Sequence, residues 1–128
     1  MEIKNIKSEL KNAPIDLKAN IKLIKLTGDK NISVFAAEIL PKTKLNPHYH
    51  KNGIETYQIY QGTGIMKVGE LNDNKVKWNE TFDVKTGDCF TIVESQIHQI
   101  INDSDEILIA LFTCPEPHLG DDRFFINS

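Results

Sequence analysis

Apolar and polar residues alternate in short runs along most of the chain. A β-strand turns successive side chains to opposite faces, so such runs mark half-buried strands. Ile21 to Leu26 is the first, ended by the Thr27-Gly28-Asp29-Lys30-Asn31 turn cluster. Ile32 to Leu40 follows, ended by Pro41, and then His48-Tyr49-His50 with the turn Lys51-Asn52-Gly53. Glu55 to Tyr60 runs into Gln61-Gly62-Thr63-Gly64. Ile65 to Val68 and Val76 to Trp78 flank Asn72-Asp73-Asn74, and Thr81 to Val84 precedes Lys85-Thr86-Gly87-Asp88. Cys89 to Val93, Ile97 to Asn102 and Ile107 to Thr113 complete the set. Asn, Asp, Gly and Pro supply the turns, because they tolerate or impose the backbone angles a reversal needs. No stretch in this region holds a 3.6-residue apolar period long enough for a helix. Many short strands with turns roughly every ten residues predict a β-sandwich or barrel. Residues Met1 to Leu17 are Lys-rich and weakly patterned, and predict a strand or short helix broken at Pro14.

Composition narrows the class. A chain of 128 residues has the length of one domain, and its 40% hydrophobic and 26% charged content is that of a folded globular protein. At this size about two-thirds of the extended surface is buried on folding, enough for a core without disulfides. Cys89 and Cys114 are therefore read as buried free thiols. The formal net charge of −3 leaves no basic face for a phosphate backbone, so no nucleic-acid partner is expected. No apolar segment is long enough to span a bilayer as a helix. The charged first ten residues lack the apolar core of a signal peptide. No membrane partner and a cytoplasmic location are the expectations.

Strand periodicity then singles out a chemistry. His48 and His50 lie two apart, so on a strand both imidazoles point to one face and can converge on one ion. Glu55 begins the next strand after a turn, and an antiparallel pairing brings its carboxylate beside them. His98 is distant in sequence, but a closed barrel can return it to the same place. Three neutral imidazoles and one carboxylate suit a divalent transition metal and leave positions open for water or substrate. Asn46 and Gln96 are candidate polar linings of the same pocket, and Asn102 a residue that ties a turn.

These residues resemble the cupin family. The first cupin motif is approached by His48-Tyr49-His50, four residues, Glu55, six residues and Gly62; the second by Gly87, His98 after ten residues, and Asn102 after three more. Lys42 and Val93 stand where the motifs usually have Gly and Pro, respectively. The resemblance covers about residues 32–115, leaving an N-terminal arm (1–20) and a C-terminal tail (116–128). It implies an all-β fold, a single-domain double-stranded β-helix or jelly-roll barrel with one divalent metal inside, and a homodimer. The metal is Mn, Fe, Ni, Zn, Co or Cu, held by His48, His50, Glu55 and His98. The function it implies is that of a metal-dependent enzyme on a small molecule, with sugar-type isomerase or epimerase or dioxygenase chemistry. A non-catalytic module binding a small ligand is the alternative. Tyr57, His118 or a hydroxide on the metal is the general base that isomerase chemistry requires. In the tail, His118 and Arg123 are placed to meet an anionic substrate, and Phe124 and Phe125 to dock the tail or form a dimer contact.

Overall fold

The structure is a computed structural model and describes residues 1–126. One short helix, α1 (Ile6–Lys11), precedes twelve strands. These are β1 (Ile15–Asp16), β2 (Ile21–Gly28), β3 (Ser33–Ile39), β4 (Thr43–Lys44), β5 (His48–Tyr49) and β6 (Glu55–Gln61). They continue as β7 (Thr63–Asn72), β8 (Lys75–Lys85), β9 (Cys89–Ile92), β10 (Ile97–Asn102), β11 (Leu108–Cys114) and β12 (Phe124–Phe125). A single 3-10 turn, Glu116–Leu119, lies between the last two. The first sheet has the order β1-β2-β3-β11-β6-β9 and the second β12-β5-β10-β7-β8, with β4 also on β10; every pairing is antiparallel. The crossing between sheets makes the predicted double-stranded β-helix. Among the described residues no helix is long and apolar enough to cross a membrane.

The inward faces carry the core. Phe35, Ile39, Ile59, Met66, Ile100, Leu108 and Phe112 are buried between the sheets, and Phe35 stacks on Phe112 with centroids 5.7 Å apart. On the outer face of the first sheet, α1 lays Leu10 against Leu26, Ala36 and Ile109. The Asn5 side chain caps this helix by accepting from the Ser8 amide at 3.1 Å. Of the two structures open to the N-terminal arm, the chain adopts both in turn, helix before Pro14 and strand after it.

Two predictions differ in detail: Cys114 is a buried free thiol as expected, but Cys89 is exposed at the start of β9, and the strands around Trp78 merge. Val76 to Trp78 and Thr81 to Val84 form one strand, β8, not two. Val68 pairs with Glu80 and Gly69 with Trp78, so Asn79 is an extra residue in β8. That bulge breaks the alternation without breaking the strand. The hairpin itself turns as expected at Asp73 and Asn74, both left-handed with φ of 54° and 64°, the geometry of a two-residue turn.

Candidate metal centre

β5 and β10 bring the first three ligand candidates together. His48 is the register partner of His98, and His50 follows two residues on, so all three rings enter the barrel. The ring centroids are 4.2 Å apart for His48 and His98, 5.0 Å for His48 and His50, and 5.3 Å for His50 and His98. All three are buried, His98 completely.

Backbone carbonyls set the tautomer of each ring. Nδ1 of His48 donates to the Asn46 carbonyl at 3.0 Å, Nδ1 of His50 to that of Asp122 at 2.6 Å, and Nδ1 of His98 to that of Gln96 at 3.1 Å. A carbonyl can only accept, so each Nδ1 carries the hydrogen and each Nε2 keeps its lone pair. The Nε2 atoms of His50 and His98 are buried with no hydrogen-bond partner. Orphaned buried nitrogens are costly and call for an explanation. A cation accepting their lone pairs supplies one, and ligand-donor atoms of the three rings lie within 4.8 Å of one another. The donor set therefore fits a divalent transition metal.

Glu55, first residue of β6, is almost wholly buried beside His50, with Oε2 2.8 Å from its Nε2. The approach lacks hydrogen-bond alignment, and a lone pair facing a carboxylate at this range is repulsive unless a cation or proton intervenes. Oε2 also accepts from Nδ1 of His118 at 3.2 Å. His50, Glu55 and His118 thus form a second group of close donors sharing His50 with the first.

Charge states follow from this crowding. Burial, aided by the neighbouring imidazoles, pushes His98 down to about 4 despite the Glu55 carboxylate, and His48 also falls well below its ordinary value. Burial alone would raise the Glu55 carboxyl, but the hydrogen bond from His118 opposes it, and the group is held well below the usual carboxylate range. Burial would likewise lower His118. Its bonds to Glu55 and to the Asn52 carbonyl, with the charges of Glu55 and Asp122, outweigh that and raise it.

The remaining predicted residues take definite places. Tyr57 is buried between Phe90 and Phe112, at 5.2 and 5.4 Å, with His98 edge-on at 6.0 Å. Burial and the adjacent Glu55 carboxylate raise its phenol well above the ordinary value, so it is a proton-bearing donor at neutral pH. His118 lies fully buried in the 3-10 turn, stacked on His50 at 4.1 Å and 3°. The Arg123 guanidinium is bound to Asp16 Oδ2 at 2.7 Å and lies over the Phe125 ring, so the tail is clasped to the N-terminal arm. Phe124 and Phe125 dock the tail by pairing with Tyr49 and His48 of β5. Asn46 turns its side chain away from the site, to the Lys18 carbonyl, and contributes its own carbonyl to His48. Gln96 ties the Val93 amide. Asn102 ties the turn after β10, donating to the carbonyls of Ile39, Leu40 and Glu106.

Sequence reasoning missed Asp122. Its carbonyl orients His50, and its carboxylate accepts from the amides of Lys51 and Asn52 at 2.7 and 2.9 Å. The turn these amides belong to needs Gly53: its φ is +84°, and a Cβ there would meet Pro115 at 3.1 Å. The spacing of Asp122 four residues after His118 was the available signal.

Beside His48, His50 and Glu55 the barrel leaves a cavity in which a water-sized sphere has about 20 Å³ to move, walled in part by Leu119 and Arg123. That is room for about one water. Toward β8 and β9 a wider cleft of about 440 Å³ opens, lined by Met66, Val68, Phe82, Val84, Phe90 and Ile92 with Glu80, Asp88 and Gln96. Tyr57 lines the smaller cavity and stacks on Phe90, which lines the cleft.

The cupin-domain family model matches residues 35–114, which hold all four predicted ligands. The chain belongs to the cupin family. No curated protein matches it by sequence. Among solved structures it is similar to an uncharacterized conserved protein with a double-stranded beta-helix domain from Klebsiella pneumoniae subsp. pneumoniae MGH 78578. There the TM-score is 0.73 at 15% identity, over 100% of this chain and 99% of that one. A Cupin 2 conserved barrel domain protein from Salinispora arenicola CNS-205 gives 0.70 at 16%, over 94% and 93%. The oxalate decarboxylase of Lactobacillus farciminis, solved as a formate complex, gives 0.64 at 25%, over 80% of this chain but only 30% of that one.

Proposed function

We propose that the protein is a metal-dependent cupin enzyme acting on a small molecule, with isomerase or epimerase chemistry on a sugar-type compound or dioxygenase chemistry. The observation that carries this reading is the convergence of three imidazoles whose Nδ1 atoms are pinned to carbonyls, two of them with buried, unpartnered Nε2 atoms. His48, His50 and His98 would hold the ion, with Glu55 beside them. A bound divalent ion supplies Lewis acidity toward substrate oxygens, or redox chemistry if it is iron.

The chain's own groups then have distinct parts. Tyr57 keeps its proton and lines the cavity that holds His48, His50 and Glu55, so it is the donor best placed to orient a substrate oxygen. The cleft has the room a small molecule needs, and no Lys or Arg side chain is among its lining residues. Both His118 nitrogens face oxygens of the protein, so neither is free to take a proton from a substrate.

The second reading, a ligand-binding module without turnover, is favoured by the tightness of the cavity around the imidazoles. Purified protein reconstituted with each of Mn, Fe, Ni, Zn, Co and Cu and screened against sugar-type substrates and dioxygen uptake separates the two. Turnover supports the enzyme; saturable binding alone supports the module. Elemental analysis of His50→Ala and His98→Ala should show metal lost from folded protein. Wild-type metal content in both would sink the site assignment.

A further inference from the structure

The C-terminal tail lies outside the stretch matched by the family, yet it places a fourth imidazole against the site. His118 is fully buried, and its ring lies parallel to His50 at 4.1 Å. Nδ1 donates to Glu55 Oε2 at 3.2 Å, and Nε2 donates to the Asn52 carbonyl at 2.5 Å. Both nitrogens thus face oxygens of the protein and are occupied, although distance alone groups this ring with His50 and Glu55. The ring is itself held on two sides. Asp122 Oδ2 lies 3.8 Å from Nε2, and the same carboxylate bonds the Lys51 and Asn52 amides on the turn between β5 and β6.

We propose that His118 is a positioning residue of the metal centre: it fixes the Glu55 carboxylate against His50 by holding one of its oxygens, and binds neither metal nor substrate itself. The proposal rests on the metal-site reading. The physical reason is that a buried carboxylate on a free rotor has several orientations, whereas one oxygen held by a fixed donor has one. Preorganising a ligand in this way raises metal affinity, and removing such a partner typically costs about 10- to 100-fold. The donor comes from the tail, so the tail completes a centre whose imidazoles all lie in the barrel.

The test uses the full-length protein stripped of metal and titrated with Co(II), with affinity and visible absorption as readouts. The variants are His118→Ala, His118→Asn and His118→Gln. The amide nitrogen of Asn falls close to the position of Nδ1, and that of Gln close to Nε2. Asn should therefore keep the donor to Glu55 while Gln keeps only the bond to the Asn52 carbonyl. The expected result is Co(II) binding about 10- to 100-fold weaker, with altered absorption bands, for Ala and Gln, and recovery toward wild type for Asn. A general packing role predicts no such split between Asn and Gln. Equal affinity and identical spectra for Ala and wild type overturn the proposal. Nitrogen-detected NMR of the imidazoles in wild-type protein loaded with Zn(II) decides the matter even if no variant folds. His118 should keep its hydrogen bond from Nδ1 while Nε2 of His48, His50 and His98 shift, and metal on a His118 nitrogen overturns the proposal. Wild-type protein that binds no Co(II) at all overturns the metal-site reading, and this proposal with it.

Discussion

Acid should unfold the metal-free protein early, and His98 is the group to follow. Its folded pKa is about 4, against an ordinary 6.5 in the unfolded chain. The unfolded state binds the proton first, so stability falls as pH drops through this window. From about pH 7.5 to about pH 5, unfolded His98 becomes almost fully charged while the buried ring gains only about a tenth of a proton. The difference, RT ln[(1 + 10^1.5)/(1 + 10^−1)], is about 2 kcal/mol of lost stability. His48 is shifted in the same direction and adds to the loss. His118 is shifted upward, so its contribution is full below 6.5 and wanes as pH rises; it opposes the loss. Glu55, held below 4.5, loses its contribution only at pH values lower than this window. Urea denaturation in chelator at both pH values, for wild type and His98→Leu, isolates the His98 part. Wild type should lose about 2 kcal/mol more than the variant between the two conditions. An equal loss in both proteins would refute the reasoning, since the orphaned ring would then not be what acid attacks.

Other perturbations probe the frame of the site. Arg123→Ala removes the clasp to Asp16 and should cost about 1.5–3 kcal/mol, with faster proteolysis of the tail; a melting curve identical to wild type speaks against the clasp. Asn102→Ala strands three carbonyls and should cost about 3 kcal/mol in a urea titration, and a change below about 1 kcal/mol would mean that solvent replaces the amide. Gly69→Ala puts a Cβ 2.4 Å from the Lys77 carbonyl at the β7–β8 bulge. It should cost more than about 2 kcal/mol, and unchanged thermal stability would show that the bulge yields.

The legible part of this protein is the part written in local periodicity. The His48/His50 pair could be placed on one face because β5 is a strand and strands alternate, and Glu55 and His98 followed from motif spacing. Strand limits were readable wherever Gly, Asn or Pro punctuated them, as at Asp73-Asn74. The Asn79 bulge was not, because an inserted residue imitates a turn in the alternation. Lys42 shows the same limit: it adopts φ +57° where the family motif has Gly, and its ammonium anchors to the Asp103 carbonyl at 2.6 Å. Nothing in its identity announces that conformation. The partnership of His118 with Glu55 spans 63 positions and runs through a tail with no period. Arg123 likewise reads as a substrate contact until the fold supplies Asp16. Long-range polar pairs depend on how the ends of the chain close over the barrel, and residue types alone do not encode that closure.

The water-sized void around the imidazoles has a kinetic consequence. A cation seated there is walled in part by Leu119 and Arg123, so its escape depends on how readily those walls part as well as on the strength of its bonds. The ion recovered with the protein then registers which metal was abundant while the chain folded as well as which it prefers at equilibrium. Chelator stripping of the native protein should accordingly be slow, and should accelerate once Arg123 no longer grips Asp16.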